Sequence, residues 1–396
     1  MGFYFFIFKI FFFFSLGNCL HAKISDLKIG LFYEHKIHSL VFSPEKSSYQ
    51  MIADGNDLLR VEEGELVYFS VVDGKIWVQT KENGFSGVYS NIEMRAESCE
   101  GVFNLRPVFP ALDTRLYEGE MILGIEFGGL QIINHVNVVN YLAGVVEAES
   151  GINSSLEFYK AQAVICRTYL YRHLKKHAEE GFNLCDAVYC QVYMGKSTGN
   201  EKIVEAVEET RGEVIVDNEF ELIDAAFHSN CGGETLGSKD VWLREKEVLR
   251  SVTDPYCSGG KSYNWQRSIP LVEWKEYLIS QGFRDEIADK GADAFSVRHD
   301  RRAVYYRVGD DYLPYRKIRE DRGLRSAFFS VEPTPDKSKL ILKGRGHGHG
   351  VGLCQEGAME MAARGYTYNA IIDFYFSDVL LGDVSKLPEK ITNSFF

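Results

Sequence analysis

One carboxylate lies where the sequence predicts the apolar face of a helix. Within NVVNYLAGVVEAES, four residues follow the spacing i, i+3, i+4, i+7 and share one helix face: Leu142, Val145, Val146 and Glu149. A carboxylate that is partly withdrawn from water has a raised pKa, which suits a general acid near neutral pH. Glu147 points elsewhere and is expected to be solvated. Glu149 is therefore a candidate catalytic residue, although periodicity alone also fits an ordinary amphipathic helix.

A second helical pattern follows and carries an arginine in an apolar run. It begins with a predicted capping box, Ser154-x-x-Glu157, and is predicted to end at Gly181. Its middle, AQAVICRTYLY, is almost wholly apolar around Arg167. Because burial of an unpaired charge is costly, Arg167 must find an acceptor or line a cleft. A structural ion pair is the alternative interpretation of this arginine.

Cysteines and a histidine adjoin predicted strand ends further along the chain. Cys185 and Cys190 are separated by four intervening residues, a spacing that permits a metal pair but is not the strong CxxC signature. Cys231 and Cys257 are predicted either to form a disulfide or to join His228 in a zinc site. Seven cysteines follow Cys19, so an odd one must be free or bound to metal.

A glycine-rich loop near the end of the chain links a predicted strand to a helix. The segment LILKGRGHGHGVGLCQEGAMEMAARG predicts a helix from about Leu353 to Arg364, with Gly365 as its stop. The loop lacks the GK[ST] of a phosphate-binding loop and the GxGxxG of a dinucleotide site. Its glycines would let the backbone pass close to a substrate or another element. His349 and Gln355 are the site candidates here, and a metal-binding histidine loop is the alternative.

The elements that position these groups indicate an α+β fold. Alternating or apolar segments over residues 23–133 predict a β-rich N-terminal region, with turns at Asp73-Gly74 and Gly128-Gly129. Residues 134–382 are predicted to form a mixed α/β domain, with an insertion or lobe at about 270–331 and a tail at 383–396. Residues 201–210 predict a helix, and a hairpin turn is predicted at Asp217-Asn218. The β-rich region is expected to serve as scaffold or as one wall of a cleft.

Composition and the start of the chain restrict the class of protein. A formal charge of -12 argues against nucleic-acid binding. Residues 1–22 are aromatic-rich and apolar, which predicts a secretory signal, with cleavage after Ala22. A lipoprotein signal with Cys19 as the lipidated residue, or an uncleaved anchor, are the alternatives. In each case the rest of the chain is exported, and no later stretch approaches the ~20 apolar residues of a membrane span.

Several blocks together resemble one family. They are YLAGVVEAES, LEFYKAQAVICRTYLY, CQVY, HSNCGGET with DVW, and GHGVGLCQEGAMEMAARGYTYNAII. In this order, over about residues 115–376, they resemble the stage II sporulation protein D (SpoIID) family of peptidoglycan lytic transglycosylases. The resemblance implies a deep glycan-binding cleft in the catalytic domain. It also implies cleavage of the bond between N-acetylmuramic acid and N-acetylglucosamine without water, giving a 1,6-anhydromuramic end.

The family pattern assigns expected roles to individual residues. It implies that Glu149 is the single acid and base, because the sugar's own 6-hydroxyl replaces water, whereas ordinary hydrolases need two carboxylates. Arg167 would shape the site beside it. The positions that would line the cleft are Gln191, Tyr193, His228, His349 and Gln355. Zinc is a candidate cofactor, because some relatives bind it near the site, and the matching ligands here would be His177, Cys185 and Cys190.

The resemblance also predicts partners and location. The expected partner is peptidoglycan, in the form of glycan strands stripped of their stem peptides, acted on in the periplasm or cell envelope during division or wall remodelling. A membrane would be contacted only through the N-terminal segment. The alternative function is a non-catalytic wall-binding module that recruits or enhances an N-acetylmuramoyl-L-alanine amidase.

Overall fold

The computed structural model describes residues 26–82, 84–242 and 245–388, without the side chains of residues 285–286. The predicted signal, residues 1–22, lies outside this range, as does the end of the predicted tail. Among the described residues, no helix combines the length and apolarity needed to cross a membrane. The fold is mixed α and β, as predicted, with several sheets.

The N-terminal region is rich in β-structure. Strands β1 to β12 are Asp26–Gly30, Ser39–Lys46, Tyr49–Ala53, Asn56–Val61, Val67–Val72, Lys75–Thr80, Ser86–Tyr89, Ile92–Ala96, Val102–Phe109, Arg115–Glu118, Glu120–Glu126 and Gly129–Asn137. The predicted turn at Asp73-Gly74 joins β5 to β6, and both residues have positive φ, 51° and 73°. The two-residue loop between β11 and β12 is Phe127-Gly128, so the turn predicted at Gly128-Gly129 forms one residue earlier. The turn prediction at Asp73-Gly74 is confirmed.

Helices and shorter strands make up the rest. Helices α1 to α8 are Val138–Ser150, Leu156–Arg172, Glu201–Glu209, Lys239–Trp242, Leu271–Ser280, Tyr315–Arg322, Gln355–Ala363 and Tyr368–Tyr375. Strands β13 to β22 are Leu184–Cys185, Glu213–Val216, Phe227–His228, Asn264–Pro270, Tyr305–Val308, Asp311–Pro314, Phe329–Pro333, Lys339–Arg345, Leu353–Cys354 and Leu380–Asp383.

Two sheets and the central helices share one hydrophobic core. A seven-stranded sheet has the order β13-β1-β12-β11-β8-β3-β4, and a six-stranded sheet has the order β10-β9-β2-β5-β6-β7. Buried residues of both sheets and of α1, α2, α3, α7 and α8 form a single cluster. A second cluster of buried residues runs from Ile269 to Leu342. This range, the lobe, overlaps residues 270–331, which were predicted to form an insertion or lobe.

The start and end of α2 differ from the prediction. Its N-cap is Ser155, and no side chain completes a capping box. Glu157 instead accepts a hydrogen bond from the backbone N–H of Tyr368, 2.8 Å away, so a tertiary contact takes the place of the local one. The helix ends at Arg172 rather than at Gly181, and Gly181, in the left-handed conformation, ends a later 3-10 turn.

The predicted hairpin at Asp217-Asn218 forms only in part. The turn closes with a bridge between Val216 and Leu222, while β14 pairs with β22 at the end of the chain. The returning segment supplies β15, which pairs in parallel with β21. Sequence reasoning missed this pairing, which places His228 opposite Cys354.

Candidate active site

Glu149 lies in the last turn of α1, and the elements around it fix its position. Strand β12 leads directly into the helix, whose N-cap Asn137 accepts a hydrogen bond from the N–H of Val139 at 2.8 Å. Leu142, Val145 and Val146 are buried, as the periodicity predicted. Glu149 lies on the same face at the edge of the core and is half-buried.

The carboxylate of Glu149 has one backbone donor. The N–H of Val192 donates to Oε1 at 2.8 Å. Burial raises the pKa of Glu149, and the hydrogen bond from Val192 opposes that rise. Oε1 is thus anchored while Oε2 has no hydrogen-bond partner among the described residues. Such a carboxyl can give and take a proton at Oε2.

Glu147 differs from the prediction that it is solvated. Its carboxylate accepts hydrogen bonds from the hydroxyl of Ser197 at 2.7 Å and from the N–H groups of Thr198 and Gly199 at 3.1 and 3.0 Å. It therefore holds the loop that leads into α3. These contacts fit a structural role for Glu147.

Glu149 lines two pockets. One has a volume of about 660 Å³ and is shared with Tyr169, His173, Gln191 and His349. The other has a volume of about 1000 Å³ and includes residues 150–155, 258–262 and part of α7. The described residues show these open pockets rather than one deep cleft, so the depth implied by the resemblance is not seen. A long polymer could reach Glu149 from either pocket.

Gln355, the first residue of α7, contacts the main chain of Glu149. Its Nε2 donates to the carbonyl oxygen of Glu149 at 3.1 Å and lies 3.4 Å from Oε1 of Gln162 on α2. The side chain is buried. Gln355 thus ties the end of α1 to α2 and α7, and it reaches Glu149 through the backbone rather than through the carboxylate.

Gln191 lines the smaller pocket next to the Val192 donor. Its Nε2 donates to the carbonyl oxygen of Cys166 at 3.3 Å. Its Oε1 is buried and has no hydrogen-bond partner within the described part of the chain. A buried orphan acceptor is costly, so this oxygen is suited to receive a hydroxyl or amide of a bound ligand.

His349 also lines the smaller pocket, and His228 lies behind it. The two rings are 5.5 Å apart, and the ring of Trp242 is 5.7 Å from that of His349. Nδ1 of His349 accepts from the N–H of Val351 at 3.1 Å, and Nδ1 of His228 donates to the carbonyl oxygen of the same residue at 3.1 Å. Burial lowers the pKa of His349 to about 4 and that of His228 as well. Both rings are therefore neutral at neutral pH.

The glycine loop packs against another element. A Cβ on Gly352 would lie 2.2 Å from the carbonyl oxygen of Ala226, and one on Gly348 would lie 2.8 Å from Cβ of His228. Both glycines have positive φ, 70° and 107°. The sequence predicted that the glycines let the backbone pass close to a substrate or to another element, and the structure shows the second of these.

Arg167 and Tyr193 lie in the core rather than on either pocket wall. Arg167 donates to the carbonyl oxygens of Val207 and Glu213 at 2.9 and 3.2 Å, so it joins α2 to α3 and β14. The hydroxyl of Tyr193 donates to Oδ1 of Asn134 at 3.0 Å. Arg167, Tyr193 and His228 are absent from the walls of both pockets at Glu149. Their contacts support the pocket from behind.

The predicted zinc ligands come together. His177, Cys185 and Cys190 are buried, and their ligand atoms all lie within 4.8 Å of one another. Nε2 of His177 is 3.4 Å from Sγ of Cys190, and Nδ1 is 2.5 Å from Oε1 of Glu180. A carboxylate on the second ring nitrogen is the usual support of a metal-binding histidine. The donor set fits zinc with a fourth position left for another ligand.

Sequence reasoning missed a polar stripe that runs along α2 and onto its C-cap, His173. Gln162, Cys166, Tyr169 and His173 follow the spacing i, i+4, i+7, i+11, and two of them line the smaller pocket. The same helical periodicity that singled out Glu149 would have indicated this face. The Val192 N–H could not have been found in this way, because backbone donors carry no side-chain signal.

Comparison with known proteins finds a family match in the part of the chain that contains Glu149. Residues 126–216 match the SpoIID family model, described as Stage II sporulation protein. This range runs from the end of β11 to the end of β14 and includes Glu149 and the three predicted zinc ligands. These residues are therefore similar to the SpoIID family, and the resemblance to this family found in the sequence is confirmed.

Individual relatives extend the similarity over most of the chain. Stage II sporulation protein D of Bacillus subtilis is 26% identical over 275 residues, 66% of this chain and 78% of the relative. An uncharacterized protein of Brachyspira hyodysenteriae is 28% identical over 305 residues, 73% of this chain and 80% of the relative. The amidase enhancer of Bacillus subtilis is 28% identical over 291 residues, 61% of this chain and 40% of the relative.

Proposed function

We propose that this chain is an exported peptidoglycan lytic transglycosylase with Glu149 as its only acid and base. The proposal rests on the environment of the Glu149 carboxyl group. It is half-buried, its pKa is raised by burial, one oxygen is held by the Val192 N–H, and it lines two pockets. The SpoIID domain supports a role in cell-wall processing.

The proposed reaction proceeds in two proton transfers. Protonated Glu149 donates from Oε2 to the glycosidic oxygen as the bond from C1 of N-acetylmuramic acid breaks. The resulting carboxylate then accepts the proton of the 6-hydroxyl, whose oxygen closes on C1 of the same sugar. The N–H of Val192 stabilises the anionic form between the two transfers. No water is consumed, so a second carboxylate to activate water is unnecessary.

Other carboxylates on the pocket walls have partners that fit structural roles. Asp224 lies 2.5 Å from Nε of Arg172 and 3.4 Å from Nζ of Lys246. Glu356 accepts from Nδ2 of Asn230 at 2.6 Å and from the N–H of Ser262. These contacts favour Glu149 over its neighbours as the group that exchanges protons.

Zinc at His177, Cys185 and Cys190 would act as support. His177, Cys185 and Cys190 would hold the ion, which would link the turn at His177 to the segment that carries both cysteines. Cys190 directly precedes Gln191 and Val192, so these ligands hold the peptide that positions Oε1 of Glu149. The three residues thereby orient the donor without taking part in proton transfer.

The direct test uses purified glycan strands stripped of stem peptides. Wild-type protein should produce 1,6-anhydromuramic ends, detected by mass spectrometry, and Glu149→Gln should lower their yield by at least ~100-fold, the scale of a lost general acid. Glu147→Gln is the matched control on the same helix and should retain activity. Equal yields from Glu149→Gln and wild type would disprove the proposal.

The second candidate function is an accessory module that stimulates a cell-wall amidase. The similarity to the amidase enhancer of Bacillus subtilis favours it. It predicts faster release of stem peptides by an added N-acetylmuramoyl-L-alanine amidase, with no anhydro ends and no effect of Glu149→Gln. The two assays on the same protein samples separate the two functions.

A further inference from the structure

Four metal-ligand side chains converge in the core away from the His177 trio. They are Cys231, Asp254, Cys257 and Cys354, all of them buried, and their ligand atoms lie within 4.8 Å of one another. They come from the loop after β15, the turn before residue 258, and β21. The pairing of β15 with β21 brings these distant segments together.

The spacing of the sulfurs fits ligands of one ion. Sγ of Cys231 lies 3.4 Å from Sγ of Cys257 and 3.2 Å from Oδ2 of Asp254. The backbone N–H of Cys231 donates to Sγ of Cys354 at 3.2 Å. Two thiolates on a tetrahedral zinc with bonds of ~2.3 Å are separated by about 3.8 Å. A disulfide joins its sulfurs at ~2.05 Å and would use only two of the three thiols.

Asp254 is a buried carboxylate without a cation. Its oxygens accept from the hydroxyl of Tyr375 at 3.0 Å, the N–H of Tyr256 at 2.8 Å and the thiol of Cys231. Among the described residues, the groups that act on this carboxylate are Cys231, Tyr256, Cys257 and Tyr375, and no Lys, Arg or His pairs with it. Burial of a carboxylate is costly unless it is paired with a positive charge or binds a metal. A metal cation bound in this cluster would supply the positive charge that Asp254 needs.

A buried arginine adjoins the same cluster. Arg302 reaches across from the lobe, and its Nη2 donates to the carbonyl oxygen of Cys231 at 2.5 Å. Its Nη1 is buried without a hydrogen-bond partner among the described residues. Three thiolates and a carboxylate around a divalent cation carry net negative charge, which this guanidinium would offset.

We propose that Cys231, Asp254, Cys257 and Cys354 form a second, structural zinc site. Four protein ligands close the coordination sphere, so the ion binds no substrate and activates no water. Thiolate ligands select zinc over magnesium or calcium. Binding displaces the three thiol protons to solvent and changes no oxidation state.

The site stabilises the larger pocket at Glu149. Cys354 directly precedes Gln355, whose Nε2 donates to the Glu149 carbonyl. Cys257 adjoins residues 258–262 on the wall of the larger pocket. The ion would lock these two segments to the loop at Cys231.

Metal content is measured on the full chain, purified with reductant and without chelator. The Cys190→Ser variant removes one of the three candidate ligands of the other site and should still contain one zinc per chain by plasma mass spectrometry. Adding Cys257→Ser should remove that zinc, whereas adding Cys99→Ser, at an exposed cysteine, should not. The proposal would be overturned if adding Cys257→Ser left the zinc content unchanged, or if the Cys190→Ser protein contained no zinc.

A second measurement uses the unmutated protein, so that it gives a result even if the Cys257→Ser variant fails to fold. Native alkylation followed by peptide mapping should find Cys231, Cys257 and Cys354 unlinked and protected, then modified at least tenfold faster after a chelator is added. A Cys231–Cys257 disulfide in the unreduced peptide map would refute the site. Alkylation of the three cysteines that is insensitive to chelator would also refute it.

Discussion

Replacing Gln355 with methionine tests the link between the glycine-loop motif and the candidate acid. The change keeps the length of the side chain and suits the first turn of a helix. It removes the hydrogen bonds from Nε2 to the Glu149 carbonyl at 3.1 Å and to Oε1 of Gln162 at 3.4 Å. Because Gln355 is buried, water cannot readily replace these bonds.

The expected loss can be worked out from these two contacts. A hydrogen bond contributes ~1 kcal/mol net, and an acceptor left buried without a partner costs more. The bond at 3.4 Å is long and contributes little. We therefore expect Gln355→Met to lower the free energy of unfolding by about 2 kcal/mol. In addition, displacement of Glu149 should lower the rate of anhydro-end formation by roughly 10- to 100-fold, as small shifts of catalytic groups do.

The assay pairs urea unfolding with product analysis. Gln79→Met is the matched control, since Gln79 is exposed on β6 in the N-terminal region. The control should unfold at the same urea concentration as wild type and form product at the same rate. If Gln355→Met also behaved like wild type in both measurements, its contact with Glu149 would have no energetic role.

Three further predictions concern titration and the buried arginine. Burial raises the pKa of Glu149 in the folded protein above the ordinary glutamate value. The neutral carboxyl therefore contributes stability below that ordinary pKa, and this contribution is lost as pH rises through the folded pKa. At pH 7 the Glu149→Gln variant should therefore unfold at a higher urea concentration than wild type, and below the ordinary glutamate pKa the two proteins should unfold at the same concentration. A difference in urea midpoint that does not change with pH would contradict this. The pKa of His349 is lowered to about 4, so its stabilising neutral form should be lost only as pH falls from ~6.5 towards that value. NMR titration of its ring checks this, and a midpoint above 6 would contradict it. Arg167→Met leaves the Val207 and Glu213 carbonyls without their donor, and it should cost about 3 kcal/mol in urea unfolding while folded molecules keep their activity. Loss of activity without loss of stability would restore a catalytic role for Arg167.

Local patterns in the sequence predicted the parts of the structure that local forces decide. The spacing of Leu142, Val145 and Val146 identified the buried face of α1, and with it the position of Glu149. The turn at Asp73-Gly74 formed as predicted, with both residues at positive φ, whereas the turn predicted at Gly128-Gly129 formed one residue earlier, at Phe127-Gly128.

The features that the sequence did not predict depend on tertiary contacts. Glu157 bonds to the N–H of Tyr368 instead of closing a capping box, and Glu147 binds a loop 50 residues later in the chain. The parallel pairing of β15 with β21 has no local signal, so the proximity of Cys231 to Cys354 was missed. Arg167 was predicted to find an acceptor or line a cleft, and only the fold shows carbonyl acceptors on α3 and near β14.

The central claim is that Glu149 cleaves glycan strands without water. The most direct measurement is digestion of stripped strands in ¹⁸O-labelled water, followed by mass spectrometry of the new ends. We predict anhydromuramic ends that contain no ¹⁸O, formed by wild type and not by Glu149→Gln. Reducing ends that carry ¹⁸O would show hydrolysis and contradict the single-carboxylate mechanism.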